Sequence, residues 1–348
     1  MSQEIRTTAV DFSFGELLNL HHDKEIVIRP EYQRLFRWSI EQRSRLIESI
    51  LMGLPIPPIF LIEAEDGVLE LIDGLQRTSS ALQFLDNTSI GEDKLVLTGC
   101  DILKDLNGKS CDDLDTSRRL KVKRTPIRAT IINRGSDSFV KYELFKRLNT
   151  GGSLLSAQEI RNCSSRMVEG GGDFYEIIQS LAKHPSFVTT TSRLSETSRE
   201  RRADEELVLR FFALIYRREG FRGNVEEWLD NFMEAVLFGE LDFNSDAATK
   251  KFKGTFDLIE EKLGNAGFTR FNAHKEPTGR LAPAYFESVS VAFAEEAENI
   301  ANINKDQALE RLNEAFSSEE FKDATGPGAN TIPKLRQRIT TVKSYLTN

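Results

Sequence analysis

Residues Leu69 to Leu85 read LELIDGLQRTSSALQFL. At their centre, Asp73-Gly74-Leu75-Gln76-Arg77 places an acid, a residue without a side chain, an amide and a guanidinium within five positions. An apolar run ends at Asp73-Gly74 and a helical pattern begins within three residues. A strand-to-helix junction of this kind points unpaired backbone N–H groups at one spot and adds the positive end of the helix dipole, which favours an anion such as phosphate. Arg77 falls in the first helical turn, where a planar guanidinium can hold phosphate through two bonds. Gly74 leaves space for a ligand to approach, and Asp73 suits a Mg2+ ion or a sugar hydroxyl. The same residues also suit a plain cap, a turn and an internal ion pair.

Two further segments carry related chemistry. Upstream, IRPEYQRLFRW interleaves Arg29, Arg34 and Arg37 with Tyr32, Phe36 and Trp38, a mixture suited to stacking on bases beside phosphate contacts, or to a core edged with solvated arginines. Downstream, FKRLNTGGSLLSAQEIRN is expected to end a helix at Asn149, turn through Thr150, Gly151 and Gly152, and start another helix near Ser156, with Arg147 and Arg161 close by. A Gly-Gly loop flanked by an amide and a hydroxyl can wrap phosphates, although most such loops only connect helices.

Other chemistries have little to work with. The 348 residues contain four histidines and three cysteines (Cys100, Cys111 and Cys163), with no H-E-x-x-H and no C-x-x-C, so a zinc site or disulfide scaffold lacks its ligands. Metal chemistry must rest on carboxylates. The most apolar stretch, Ile50 to Ile62, is short and holds Pro55, Pro57 and Pro58, whereas a membrane span needs about 20 apolar residues. The first residues lack a basic leader or apolar run, so a cytoplasmic protein without a signal peptide is expected.

The net charge of −8 argues against a surface that is basic throughout, yet the charges are unevenly placed. Arg118 to Arg134 holds seven basic residues and no acid, while Asn224 to Thr249 holds seven acids and no base. Either run also suits a solvated face. A length of 348 residues at about 150 per domain implies roughly two units.

The elements that must position these groups follow from pattern. Ser39 and Gln42 have capping-box spacing ahead of Leu46, Ile47, Ile50 and Leu51, and Gly53 stops the helix. Ile59–Ile62 and Val68–Ile72 read as two strands joined by a turn, with a helix from about Gln76 to Leu85. Leu120 to Ile132 alternates basic and apolar residues and is predicted as a strand presenting Lys121, Lys123, Arg124 and Arg128 on one face. From Ser138 the pattern turns helical, including Glu205–Arg217, Val225–Leu237, Lys250–Leu263, Ala282–Ala297 and Lys305–Phe316. The expected fold is α+β: a small α/β module over residues 1–135, then a mostly helical domain over 136–348.

Taken in order, YQRLFRW (Tyr32 to Trp38), LIESILMGLPIPPIFL (Leu46 to Leu61), DGLQR (Asp73 to Arg77) and FKRLNTGGSLLSAQEIR (Phe145 to Arg161) resemble the N-terminal domain of GmrSD-type modification-dependent restriction enzymes, a family marked by a D-G-Q-Q-R motif on a ParB/sulfiredoxin-like fold. RADEELVLRFFAL (Arg202 to Leu214) resembles its helical part. The resemblance implies a nucleoside-triphosphate-binding and hydrolysing sensor in antiphage restriction that gates a separate nuclease. Asp73, Gln76 and Arg77 would be catalytic, with Asp73 on Mg2+. Gly74, Arg34, Asn149, Thr150, Gly151 and Gly152 would line the nucleotide pocket. Apart from the resemblance, the basic run and its upstream neighbour make Arg37, Lys121, Lys123, Arg124 and Arg128 the residues expected to meet DNA, modified or not. A homodimer is left open. Leu75 stands where the family has glutamine, which puts hydrolysis in question more than binding. After residue 200 only His274 is available, too little for the HNH nuclease that often follows, so cleavage by this chain alone is not expected. A ParB-like DNA nuclease and a non-catalytic DNA-binding module are the alternatives.

Overall fold

The computed structural model describes residues 6–28, 38–64, 66–133, 138–150, 156–166, 168, 170–272 and 274–347, with backbone only at 138, 140, 141, 149 and 150. The chain divides into two compact units, 1–153 and 154–348.

In the first unit, strands β1 (Thr7–Ser13), β2 (Ile26–Val27), β3 (Ile59–Glu63), β4 (Leu69–Asp73) and β5 (Pro126–Ile132) form one mixed sheet in the order β1-β5-β3-β4-β2. β5 lies antiparallel to β1 and parallel to β3, while β4 lies antiparallel to β3 and parallel to β2. Leu61 and Ile62 are successive in β3 and therefore point to opposite faces, yet both are buried, so the middle of the sheet is covered on both sides. Helices α1 (Phe14–His22), α2 (Ile40–Met52), α3 (Leu75–Leu85) and α4 (Thr116–Arg124) pack on one another, and α5 (Ser138–Thr150) packs on β4. Helix α5 belongs to the first of the two compact units, since it packs on β4 of this sheet.

Local chemistry explains where these elements begin. Ser39 accepts from the Gln42 N–H, the Gln42 side chain returns to the Ser39 N–H at 2.9 Å, and Gly53 closes α2 in the left-handed region at φ 79°. The same box at Ser13 and Glu16 starts α1 directly from the end of β1. One expected element is overturned. The strand predicted for Leu120–Ile132 begins only at Pro126, and Lys121, Lys123 and Arg124 lie on α4. Asp115 caps that helix by accepting from the Arg118 N–H at 2.9 Å, and the proline after Thr125 stops it. Only Val122 of α4 is buried, so the helix leaves almost no apolar periodicity in its sequence.

The second unit is built of helices, the longest being Ser245–Leu263 and Ile332–Thr347, with a two-stranded pairing of Arg270–Phe271 and Pro277–Thr278. Its core is rich in phenylalanine: Phe187, Phe211, Phe252 and Phe256 meet largely edge to face, with Phe187 and Phe256 centroids 4.9 Å apart. Charges are buried within it as compensated groups. Glu287 accepts from Arg210 at 2.7 Å and from Arg338, and Arg210 also donates to Glu206 at 2.9 Å. No helix among the described residues is long and apolar enough to cross a membrane.

Candidate functional site

The bend at Asp73–Arg77 is set by β4, α3 and the start of β3. The β3–β4 pairing shifts register between Phe60 and Leu61, so Phe60 faces Asp73 while Leu61 faces Leu71. This irregularity at the end of β4 re-aims the residues that lead into the helix. Gly74 follows at φ 95°, and a Cβ built on it would lie 2.3 Å from Ile59 Cγ2. Only glycine satisfies both the backbone angle and the close approach. α3 then begins at Leu75 with no side chain capping its N-terminus, and its first backbone bond runs from the Thr78 N–H to the Gly74 carbonyl at 2.9 Å.

Arg77 stands over this end of the helix. Its Nη2 donates to Asp73 Oδ2 at 3.0 Å and to the Pro58 carbonyl at 2.9 Å. The two side chains remain 20% and 29% exposed, so the pair is reachable from solvent. Arg77 Nε and the Thr78 hydroxyl are buried without a hydrogen-bond partner among the described residues. A buried donor with no acceptor is costly, by about 1–3 kcal/mol, and is the kind of group a bound anion would satisfy. Gln76 Oε1 accepts from the Trp38 N–H at 3.1 Å, which ties the residue following Arg37 to the bend. Arg43 braces the same region, donating to the Trp38 carbonyl at 2.8 Å and to Gln83 at 3.1 Å.

The structure thus gathers Asp73, Gly74, Gln76 and Arg77 at one bend. Arg34, Arg37, Gly151 and Gly152 lie outside the described residues, and Asn149 and Thr150 occupy the last turn of α5, where only backbone is described. Arg161, a neighbour of the Gly-Gly segment in sequence, does no phosphate work: it is 2% exposed and bound to Asp230 at 2.7 Å, Gln158 at 3.0 Å and the Glu226 carbonyl at 3.0 Å. Arg147 is exposed and paired with Glu143 at 3.0 Å. Sequence reasoning missed the Pro58 carbonyl and Thr78, groups brought in by strand pairing or by position in the first turn, with no motif of their own.

For a divalent cation, the described residues hold no cluster of three His, Cys, Asp or Glu side chains. A Mg2+ ion that takes most ligands from phosphate and water needs only one or two carboxylates, so Asp73 alone fits that mode.

A second feature of this unit is electropositive. Arg119, Lys121, Lys123 and Arg124 are exposed along α4, and among the described residues none has an acidic partner, whereas Arg118 pairs with Asp105. Arg128 on β5 is forked onto Asp11 at 2.8 and 2.9 Å, and that bond holds the Asp11 carboxyl below its usual range. Its charge is already matched in a way that those on α4 are not.

Residues 14–165 match the family described as the GmrSD restriction endonuclease, N-terminal domain. The matched stretch takes in β2 to β5, the Asp73–Arg77 bend and the basic helix, and it is this stretch that is of the GmrSD N-terminal type. The match ends at residue 165 and leaves most of the second unit outside it. No curated protein matches the sequence.

Proposed function

We propose that this chain is a nucleotide-binding sensor of a modification-dependent restriction system, with DNA cleavage supplied by another polypeptide. The observation that carries the reading is the uncapped N-terminus of α3, with Arg77 and Asp73 at its mouth and two buried donors left unsatisfied beside it. Backbone N–H groups and a guanidinium aimed at one point are what a triphosphate requires.

In this reading the phosphate chain lies against the first turn of α3, and Arg77 turns from Asp73 to the γ-phosphoryl oxygens. Hydrolysis is attack of water on the γ-phosphorus with cleavage of its bond to the β-phosphate oxygen. Arg77 and the helix amides stabilise the charge that builds up as that bond breaks. Asp73 would hold a Mg2+ ion, whose chemistry when bound is neutralisation of phosphate charge. Gln76, held by the Trp38 N–H, keeps its place at the seat. Leu75 offers no group to orient water, so turnover is slow relative to binding. The four exposed cations of α4 contact the DNA backbone, a sequence-independent term that supplies affinity.

Thermal-shift measurements with each of the four ribonucleoside triphosphates and Mg2+ test the seat, since a ligand that binds only the folded chain raises its apparent stability. A stabilising nucleotide with turnover that falls by about a hundredfold or more in Arg77→Ala is expected. Turnover unchanged by that substitution would contradict the assignment. Plasmid cut by the purified chain with Mg2+ alone would favour direct nuclease action, and salt-sensitive DNA affinity without any nucleotide effect would favour a pure binding module.

A further inference from the structure

The second unit contains a cavity of about 320 Å³, near the lower end of the range of small-molecule sites. It lies where the Arg270–Phe271 strand meets the helices Pro283–Glu295, Lys305–Ser317 and Glu319–Thr325. Its composition is divided. Phe271, Tyr285 and Phe316 supply rings, with Tyr285 and Phe316 centroids 4.6 Å apart and Phe271 5.9 Å from Phe316. Arg270 and Lys322 supply two exposed cations, and no acid lines the cavity among the described residues.

The two cations lack the partners that their setting offers. Acids outnumber bases in residues 154–348, so a cation here would ordinarily find a carboxylate. Asp323, next to Lys322, pairs instead with Lys334 at 3.4 Å, and Glu310 pairs with Lys275 at 3.1 Å. Among the described residues neither Arg270 nor Lys322 makes an ion pair. Arg270 stands beside the Tyr285 hydroxyl: burial pushes that hydroxyl up, and the guanidinium offsets part of the rise. Asn313 and Ser317, one turn apart on the same helix, add an amide and a hydroxyl to the lining.

We propose that this cavity binds a small anion carrying a planar ring, of nucleoside-monophosphate size, with the ring against Phe271, Tyr285 and Phe316 and the anionic group at Arg270 and Lys322. Aromatic walls favour a flat ring, and two unmatched cations favour a phosphate over a neutral sugar. The site is independent of the Asp73–Arg77 bend and goes beyond the reading given for it.

Calorimetric titration of the full chain with adenosine and cytidine 5′-monophosphates, the two nucleosides and inorganic phosphate tests the assignment. Saturable binding of at least one monophosphate is expected, with its nucleoside and inorganic phosphate each at least tenfold weaker. The double variant Arg270→Gln/Lys322→Gln, at exposed positions that folding tolerates, should weaken the monophosphate at least tenfold with an unchanged circular dichroism spectrum, while Arg77→Ala leaves it unaltered. Binding of neither monophosphate, inorganic phosphate bound as tightly as the nucleotide, affinity untouched in the double variant, or loss in Arg77→Ala each overturns the proposal.

Discussion

Replacing Gly74 with alanine tests whether the bend is built as described. Two costs arise at once. An L-residue at φ 95° is strained by about 1–2 kcal/mol. The new methyl would also stand 2.3 Å from Ile59 Cγ2, in a residue fully buried in β3, and overpacking of that kind adds about 1–3 kcal/mol. A total of about 3 kcal/mol corresponds to roughly 6–12 °C for a unit of this size. Urea unfolding in a Trp228→Phe background reads the first unit through Trp38, because these are the two tryptophans of the chain. The clash can be separated from the strain with Ile59→Ala, which removes the Cγ2 methyl and on its own should cost about 2–5 kcal/mol. In that background Gly74→Ala should cost about 1–2 kcal/mol less, a coupling that a double-mutant cycle resolves. If Gly74→Ala costs less than about 0.5 kcal/mol in the otherwise native chain, neither the backbone angle nor the close approach is real and the seat has another shape.

Three more outcomes follow from other parts of the molecule. Alanine at Lys121, Lys123 and Arg124 together should weaken DNA binding on any sequence and flatten its salt dependence, by up to about 0.9 for each phosphate no longer neutralised, measured by fluorescence anisotropy across a salt series. Burial alone would raise the Glu295 carboxyl, but hydrogen bonds from Lys343 and Arg218 outweigh it and hold the folded-state value below the unfolded one. That pairing therefore stabilises the fold above the usual carboxylate range and fades as pH falls through the lowered value. Glu295→Gln should be less stable by about 1 kcal/mol at neutral pH and converge on the parent in acid, as followed by thermal melts. Glu287→Gln removes the carboxylate shared by Arg210 and Arg338; Arg210 keeps Glu206, but Arg338 is left buried without a carboxylate among the described residues, which should cost about 3–5 kcal/mol in chemical denaturation.

Much of the first unit is legible from short-range signals. The capping box at Ser39/Gln42, the two strands around Asp66-Gly67 and the break at Asp73-Gly74 each depend on residues within a few positions of one another, as does the box at Ser156/Glu159 that opens a helix of the second unit. Ser13 and Glu16 carry the same signal, yet β1 and α1 escape a sequence reading, because β1 pairs with a strand over a hundred residues away and has only one fully buried residue to mark it. The basic helix α4 misleads for a different reason: LKVKR alternates as a strand would, while the cap at Asp115 lies outside that window. At the bend, residue identities are readable but partners are not. Pro58, Ile59 and Trp38 reach Arg77, Gly74 and Gln76 through tertiary pairing that local spacing does not encode.

The bond between Glu287 and Arg338 joins positions 51 residues apart, and it bears on how the helical unit is made. While the chain is being synthesised, Glu287 emerges well before the guanidinium that completes its setting. Closing the phenylalanine core early would trap a carboxylate with half its compensation, so the final collapse is expected to follow the arrival of the helix Ile332–Thr347. Ribosome-bound chains stalled before residue 338 should accordingly remain loosely packed and easily digested by protease in this half, long after the preceding sheet has become resistant.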